Sequence, residues 1–203
     1  MFTVATGTES ELPIGLEMAL AAYRYEVFIK TLQWQLPVEN GLERDQFDRP
    51  DTLYVVVGDA NGIVCGCARL LPTTKPYLLD EVFPELMNGS PAPHSPDTWE
   101  LSRFSTMAPG ESTAPSREEA RRRFCSLFAS VVEVACAQGA TRLITFTALG
   151  VERILRSIGI HAHRVGPPQM IDDKPVLALW IELDDRTRKA LGLPAIPVTA
   201  SEQ

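Results

Sequence analysis

No stretch of this chain approaches the ~18 consecutive apolar residues of a membrane-spanning helix. Residues 1–6, Met1-Phe2-Thr3-Val4-Ala5-Thr6, lack both the basic start and the apolar core of a secretory leader. Both absences point to a soluble, cytoplasmic protein with no membrane partner. Basic charge is also short, with 19 Lys and Arg against 26 Asp and Glu and a net charge of −7. A general nucleic-acid binder needs a basic face, so that class is set aside. Cysteine and histidine are few. Cys65 and Cys67 alternate along one strand, Cys125 and Cys136 lie about three helical turns apart, and His94, His161 and His163 have no ligand spacing. No metal site is expected, and the thiols read as reduced residues of a core. No Ser-His-Asp or Cys-His arrangement offers a covalent nucleophile. Repeats and linker-like composition are missing too, so residues 1–203 are expected to form one domain.

What is present alternates between strand and helix signals. Leu16, Leu20, Tyr23 and Val27 recur at helical spacing and predict a helix over 12–30, with Arg24 and Phe28 four apart on a neighbouring stripe. Residues 31–51 are polar with Pro37, Gly41 and Pro50, and read as a long loop. Apolar, β-branched runs at 53–57 and 63–71 flank Asp59-Ala60-Asn61-Gly62, a hairpin signal. A proline-rich stretch with a helical turn at 79–86 leads to a strand at 99–106. Ser116 and Glu119 form a capping box that opens a helix to about residue 138, closed by Gly139. A strand at 142–147, a short helix at 150–157 and a strand at 176–183 complete the pattern. An antiparallel hairpin followed by strand, helix, strand fits an α/β fold in three layers on one twisted mixed sheet.

The run Trp99-Glu100-Leu101-Ser102-Arg103-Phe104 puts an acid and a base three apart in an apolar, aromatic strand. Buried ions must be paired, or bound to a charged ligand, because an isolated one costs several kcal/mol. An odd separation points two side chains to opposite faces, so Glu100 and Arg103 serve one site only if the strand bulges or ends between them. A charge pair at a strand end is the plain alternative. Upstream stand Arg24 and Phe28, then Trp34, then Asp45 and Asp48 within Glu43-Arg44-Asp45-Gln46-Phe47-Asp48, then Arg69 within Cys67-Ala68-Arg69-Leu70. Taken singly, the aspartates read equally well as loop caps and the aromatics as core. Taken in this order and spacing, the set resembles the acyl-homoserine-lactone synthases, the autoinducer synthases of bacterial quorum sensing, from the first helix through Gly159.

That resemblance implies an N-acetyltransferase-like α/β/α fold. It implies an enzyme that acylates the amine of S-adenosylmethionine from an acyl carrier protein and then closes the lactone, releasing methylthioadenosine. S-adenosylmethionine is then a substrate, and no cofactor is called for. Arg24, Phe28, Trp34, Asp45, Arg103 and Phe104 would bind it, and Glu100, Arg103, Asp45, Asp48 and Arg69 would form the catalytic set. Counting Arg24, Arg69 and Arg103 against Asp45, Asp48 and Glu100 gives a neutral cluster that tolerates burial and suits a zwitterion, with an aromatic ring for the sulfonium. The amine must lose a proton before attack, and Glu100 is the candidate base; burial would raise its pKa and Arg103 would lower it. Thr145 and Thr147 share one strand face and would line the acyl pocket. Arg121, Arg122 and Arg123 would dock the acidic carrier, although three consecutive residues fan over about two hundred degrees of helix and a solvated face is the commoner reading. Two rivals stand beside this one. A coenzyme A N-acetyltransferase would want a glycine-patterned pyrophosphate loop where Ser105-Thr106-Met107-Ala108-Pro109-Gly110-Glu111 stands. A non-catalytic module for a small zwitterion would bind without releasing methylthioadenosine.

Overall fold

A computed structural model of the chain describes residues 2–111 and 113–196. In chain order its elements are β1 (Thr3–Gly7), α1 (Leu16–Arg24), β2 (Val38–Glu39), β3 (Leu42–Glu43), β4 (Leu53–Gly58), β5 (Val64–Pro72), α2 (Leu78–Glu81), β6 (Thr98–Ser105), α3 (Arg117–Ala137), β7 (Arg142–Ala148), α4 (Leu149–Ile158), β8 (Ala162–Arg164), β9 (Gln169–Ile171), β10 (Lys174–Glu182) and α5 (Asp185–Ala190). The main sheet runs β1-β4-β5-β6-β7-β10-β8, with β9 also on β10, and β2-β3 stand apart as a hairpin. Among the described residues only β6 and β7 pair in parallel; the other ladders are antiparallel. No helix among the described residues is long and apolar enough to cross a membrane.

Strand alternation gives this sheet two faces. One meets α3 and α4: Leu101, Leu143, Leu177 and Leu179 pack with Phe124, Leu127, Phe128, Val131 and Leu155. The other meets α1 and the turns that continue it, through Tyr23, Val27 and Phe28 against Tyr54 and Val56. Further along that second face, Leu78, Leu79 and Leu86 cover Leu71, Ile144 and Ala178. The three expected layers are therefore present.

Local signals account for most boundaries. Asp59 caps its own turn, its Oδ1 accepting from Asn61 N at 2.8 Å and Ile63 N at 2.9 Å, and β4 and β5 pair as expected. Ser116 Oγ accepts from Glu119 N at 3.1 Å at the start of α3, and Gly139 follows the helix at φ 81°. The first helix departs from expectation. It starts at Leu16, past Pro13 and Gly15, and from Tyr25 to Thr31 it widens into a π-helix, a form concentrated at functional sites. Residues 31–51 are not a plain loop, because β2 and β3 pair across Asn40 and Gly41 at φ 51° and 77°. Asn-Gly is the dipeptide such a two-residue turn favours.

The feature that shapes the site is in β6. Arg69 lies opposite Ser102 and Cys67 opposite Ser105, so three steps of β6 face two of β5. Arg103 absorbs the extra residue at φ +50°, and its carbonyl accepts from Cys67 Sγ at 3.1 Å. Beyond Leu101 and Thr145 the β6–β7 ladder ends, although both strands continue. The parallel pair thus opens where the bulge lies.

Candidate active site

The bulge makes neighbours of residues that a regular strand would separate. Ser102 and Arg103 both turn toward α1, while Phe104 packs on Phe124 and Phe128 with ring centroids at 4.9 and 5.7 Å. The expected place of Phe104 with Phe28, Trp34 and Arg103 among the residues that bind S-adenosylmethionine is corrected on this ground: its ring belongs to the α3 face, across the sheet from the charged groups.

Six ionised side chains meet on the α1 face. The α1 residue Arg24 donates from Nε to Glu43 Oε2 at 2.5 Å and grips both oxygens of Asp48 at 2.7 and 3.0 Å. The β5 residue Arg69 grips both oxygens of Asp45 at 2.6 and 3.1 Å, reaches Asp48 Oδ1 at 3.1 Å and donates from Nε to Ser102 Oγ at 3.1 Å. Arg103 holds Glu43 at 3.0 and 3.3 Å and Asp45 at 2.8 Å. Tyr54 donates to Asp48 at 2.8 Å. Three cations thus meet three anions, and all six side chains are at most 10 % exposed. Burial alone would raise the Asp48 pKa, but Arg24 and Arg69 outweigh it and hold the carboxyl well below its usual range. Arg24 answers in kind, its pKa raised by Asp48 and Glu43 against the cost of burial.

The third anion is Glu43, not Glu100. Glu100 lies on the same face but opposite Leu71, and its carboxylate accepts from Leu79 N at 2.8 Å and Leu78 N at 3.1 Å. Burial pushes its pKa up to about 7, against the two amides and the charges of Arg69 and Arg103. It is not paired with Arg103. Glu43 stands two residues before Asp45 and ends the short strand β3, so no periodicity in the sequence separated it from the neighbouring acids.

Beside the cluster is an aromatic wall. Phe28 and Trp34 stack at 4.8 Å, joined by a Trp34 N to Phe28 O bond at 2.8 Å, and the Arg103 guanidinium lies 5.6 and 5.8 Å from their centroids. Phe28 is buried, whereas Trp34 is 38 % exposed and marks the way in. Every nitrogen of Arg24 and Arg69 has a partner. Arg103 Nη1 has none among the described residues. A saturated, neutral cluster that offers one free guanidinium nitrogen next to two rings can take a carboxylate with a cation close by.

Thr145 and Thr147 lie on the α3/α4 face, opposite Leu179 and Leu177. The Thr145 hydroxyl donates to Leu101 O at 2.7 Å, across the last rung of the β6–β7 ladder. Arg121 and Arg122 are exposed on α3. Arg123 is not free for docking: it holds Glu111 at 2.6 and 2.9 Å and Glu119 at 2.6 Å.

The autoinducer synthase family model matches residues 16–191. An acyl-homoserine-lactone synthase of Ralstonia solanacearum is 50 % identical over 188 residues, covering 91 % of this chain and 90 % of that one. The structure of TofI in a ternary complex with an inhibitor and MTA superposes with TM-score 0.82 at 45 % identity, covering 95 % of this chain and 97 % of TofI. That of the AHL synthase LasI gives 0.86 at 29 %, covering 100 % and 98 %. Two more distant structures share the fold. The CoA-dependent synthase BjaI, with SAM and isopentyl-CoA, gives 0.82 at 23 % identity over 97 % and 92 %. A Lactobacillus plantarum protein described as an N-acetyltransferase gives 0.56 at 16 % over 90 % and 98 %. The chain belongs to the autoinducer synthase family and is an acyltransferase of the acyl-homoserine-lactone synthase kind.

Proposed function

We propose that this enzyme acylates the amine of S-adenosylmethionine with an acyl group from an acyl carrier protein, in the cytoplasm, and then closes the product to an N-acyl-homoserine lactone. The observation that carries the reading is Arg103 Nη1, the one guanidinium nitrogen of the cluster without a partner among the described residues, presented beside Phe28 and Trp34. Arg103 takes the methionine carboxylate, the two rings face the sulfonium and adenine, and Asp45 draws the amino end. Arg24, Arg69 and Asp48 lock these groups in place without touching substrate.

Glu100 accepts the amine proton, directly or through a water. Its pKa of about 7 lies near working pH, where a general base is most effective. The acyl thioester enters from the α3/α4 face through the opening between β6 and β7, with its chain along Thr145 and Thr147. Phe104, on that same face, lines its path. Backbone amides of the bulged stretch 102–105 face the tetrahedral oxyanion. The substrate's own carboxylate then attacks its γ-carbon and expels methylthioadenosine, so no covalent enzyme intermediate is needed.

A carrier protein suits this chain better than coenzyme A. The loop after β6 has no glycine pattern for a pyrophosphate, and its Glu111 neutralises Arg123, whereas Arg121 and Arg122 remain exposed for an acidic protein. Mass spectrometry after incubation with S-adenosylmethionine and either acyl-carrier protein or acyl-CoA tests the reading. Lactone and methylthioadenosine in equal amounts from the carrier are expected. Turnover with acyl-CoA alone would replace the donor, and binding without methylthioadenosine release would make the protein a sensor.

A further inference from the structure

One ion of the cluster has no task in the proposed function. Glu43 has no exposed surface and ends β3, on a hairpin that belongs to no other sheet. Among the three acids, Asp48 joins Arg24 to Arg69 and Asp45 joins Arg69 to Arg103. Glu43 joins Arg24 to Arg103 and so closes the ring.

Its hold on Arg103 is two-pronged. Glu43 Oε2 accepts from Nε and Oε1 from Nη2, so one edge of the planar guanidinium is fixed and the remaining nitrogen, Nη1, is presented from the other side. The backbone of Arg103 meanwhile sits at φ +50°, a conformation that non-glycine residues keep only where their surroundings impose it. Among the described residues the only other acid on Arg103 is Asp45, through Nη2 alone, and a single contact does not set the plane of a guanidinium.

We propose that Glu43 is a positioning residue for substrate recognition: it sets the plane of Arg103 so that Nη1 meets the carboxylate of the amino-acid substrate beside Phe28 and Trp34. Glu43 does not touch substrate. The proposal rests on the reading that Arg103 clamps S-adenosylmethionine. It makes the β2–β3 hairpin part of the binding site, although its only contribution there is this carboxylate.

The test is a double-mutant cycle read by calorimetric titration of S-adenosylmethionine, with Michaelis constants for both substrates. Glu43→Gln should weaken S-adenosylmethionine binding about tenfold or more, in line with a lost charge-assisted bond, and should raise its Michaelis constant while that for the acyl carrier stays as it was. Glu43→Asp keeps the charge on a shorter arm and should recover part of the loss. In an Arg103→Ala background, Glu43→Gln should change affinity less than twofold, because its effect passes through Arg103. Wild-type affinity in Glu43→Gln overturns the proposal, and so does an equal loss in both backgrounds, which would mean a role in folding alone. Should Glu43→Gln fail to fold, Glu43→Asp carries the same cycle. Wild-type protein that binds no S-adenosylmethionine overturns the proposed function as well, so the two failures are told apart.

Discussion

Strands β5 and β6 show opposite chemistry on their two faces. Toward α3 they present Ala68, Leu70, Trp99 and Leu101 to an apolar layer; toward α1 and α2 they present Arg69, Glu100, Ser102 and Arg103. The apolar face gains free energy from almost any filling of the right volume. The charged face does not, because each buried ion must recover its desolvation through precise partners, and a hydrophobic replacement of equal volume is often neutral or stabilising. A chain that keeps six interlocked ions there gains chemistry from them more than stability. Two irregular backbone features, the π-helix over Tyr25–Thr31 and the positive φ of Arg103, border the charged face.

On the proposed mechanism the largest effect should come from the charged face. Glu100→Gln is expected to slow acylation by about 10²- to 10⁴-fold, the usual loss of a general base. Wild-type kcat/KM should rise with pH through about 7, where Glu100 ionises, and the variant should lack that limb. Its deficit should shrink in alkali, where the substrate amine loses its proton unaided. Stability follows the opposite sign. Because the folded pKa lies above the ordinary 4.5, the native state binds more protons between roughly 4.5 and 7, and stability falls as pH rises across that window. Denaturant melts of the variant should be flatter there. A wild-type profile with no limb near 7 would move the base elsewhere.

A paired substitution separates the faces by stability and binding together. Asp48→Asn leaves Arg24 and Arg69 short of an anion and should cost about 3–5 kcal/mol, with S-adenosylmethionine affinity lost alongside. Its penalty should fade in acid. Asp48 has a depressed pKa, so its contribution is present above about 4 and lost as pH falls below that. Leu127→Ala, at a buried position of α3, should cost a similar 2–5 kcal/mol yet leave that affinity intact. Equal affinities in the two variants would erase the distinction between the faces.

Much of this was legible before the structure. The Asp59 turn, the Ser116 cap and the apolar runs of β4, β5, β7 and β10 carry their own local signals. Arg24, Asp45, Asp48, Arg69 and Arg103 do converge, and the odd spacing of Glu100 and Arg103 asked for a strand that bulges or ends between them if both serve one site; the bulge is what the structure has. What failed was decided by distant partners. The amides of Leu78 and Leu79, about twenty residues upstream in the chain, claim Glu100; Glu111 claims Arg123; and the bulge that turns Arg103 inward sends Phe104 to α3. The π-helix has no composition signal at all, and β1, β8 and β9 are short strands that acquire their shape from the sheet they join.

The central claim, that the neutral cluster exists to present Arg103 to the amino-acid substrate, is tested most directly by titrating S-adenosylmethionine into wild type and Arg103→Ala in a calorimeter, with thermal melts of both. A variant that melts cooperatively as a folded protein but binds S-adenosylmethionine about a hundredfold more weakly, as expected for a lost charge-assisted clamp, is the predicted result. Unchanged affinity in a folded variant would contradict the account.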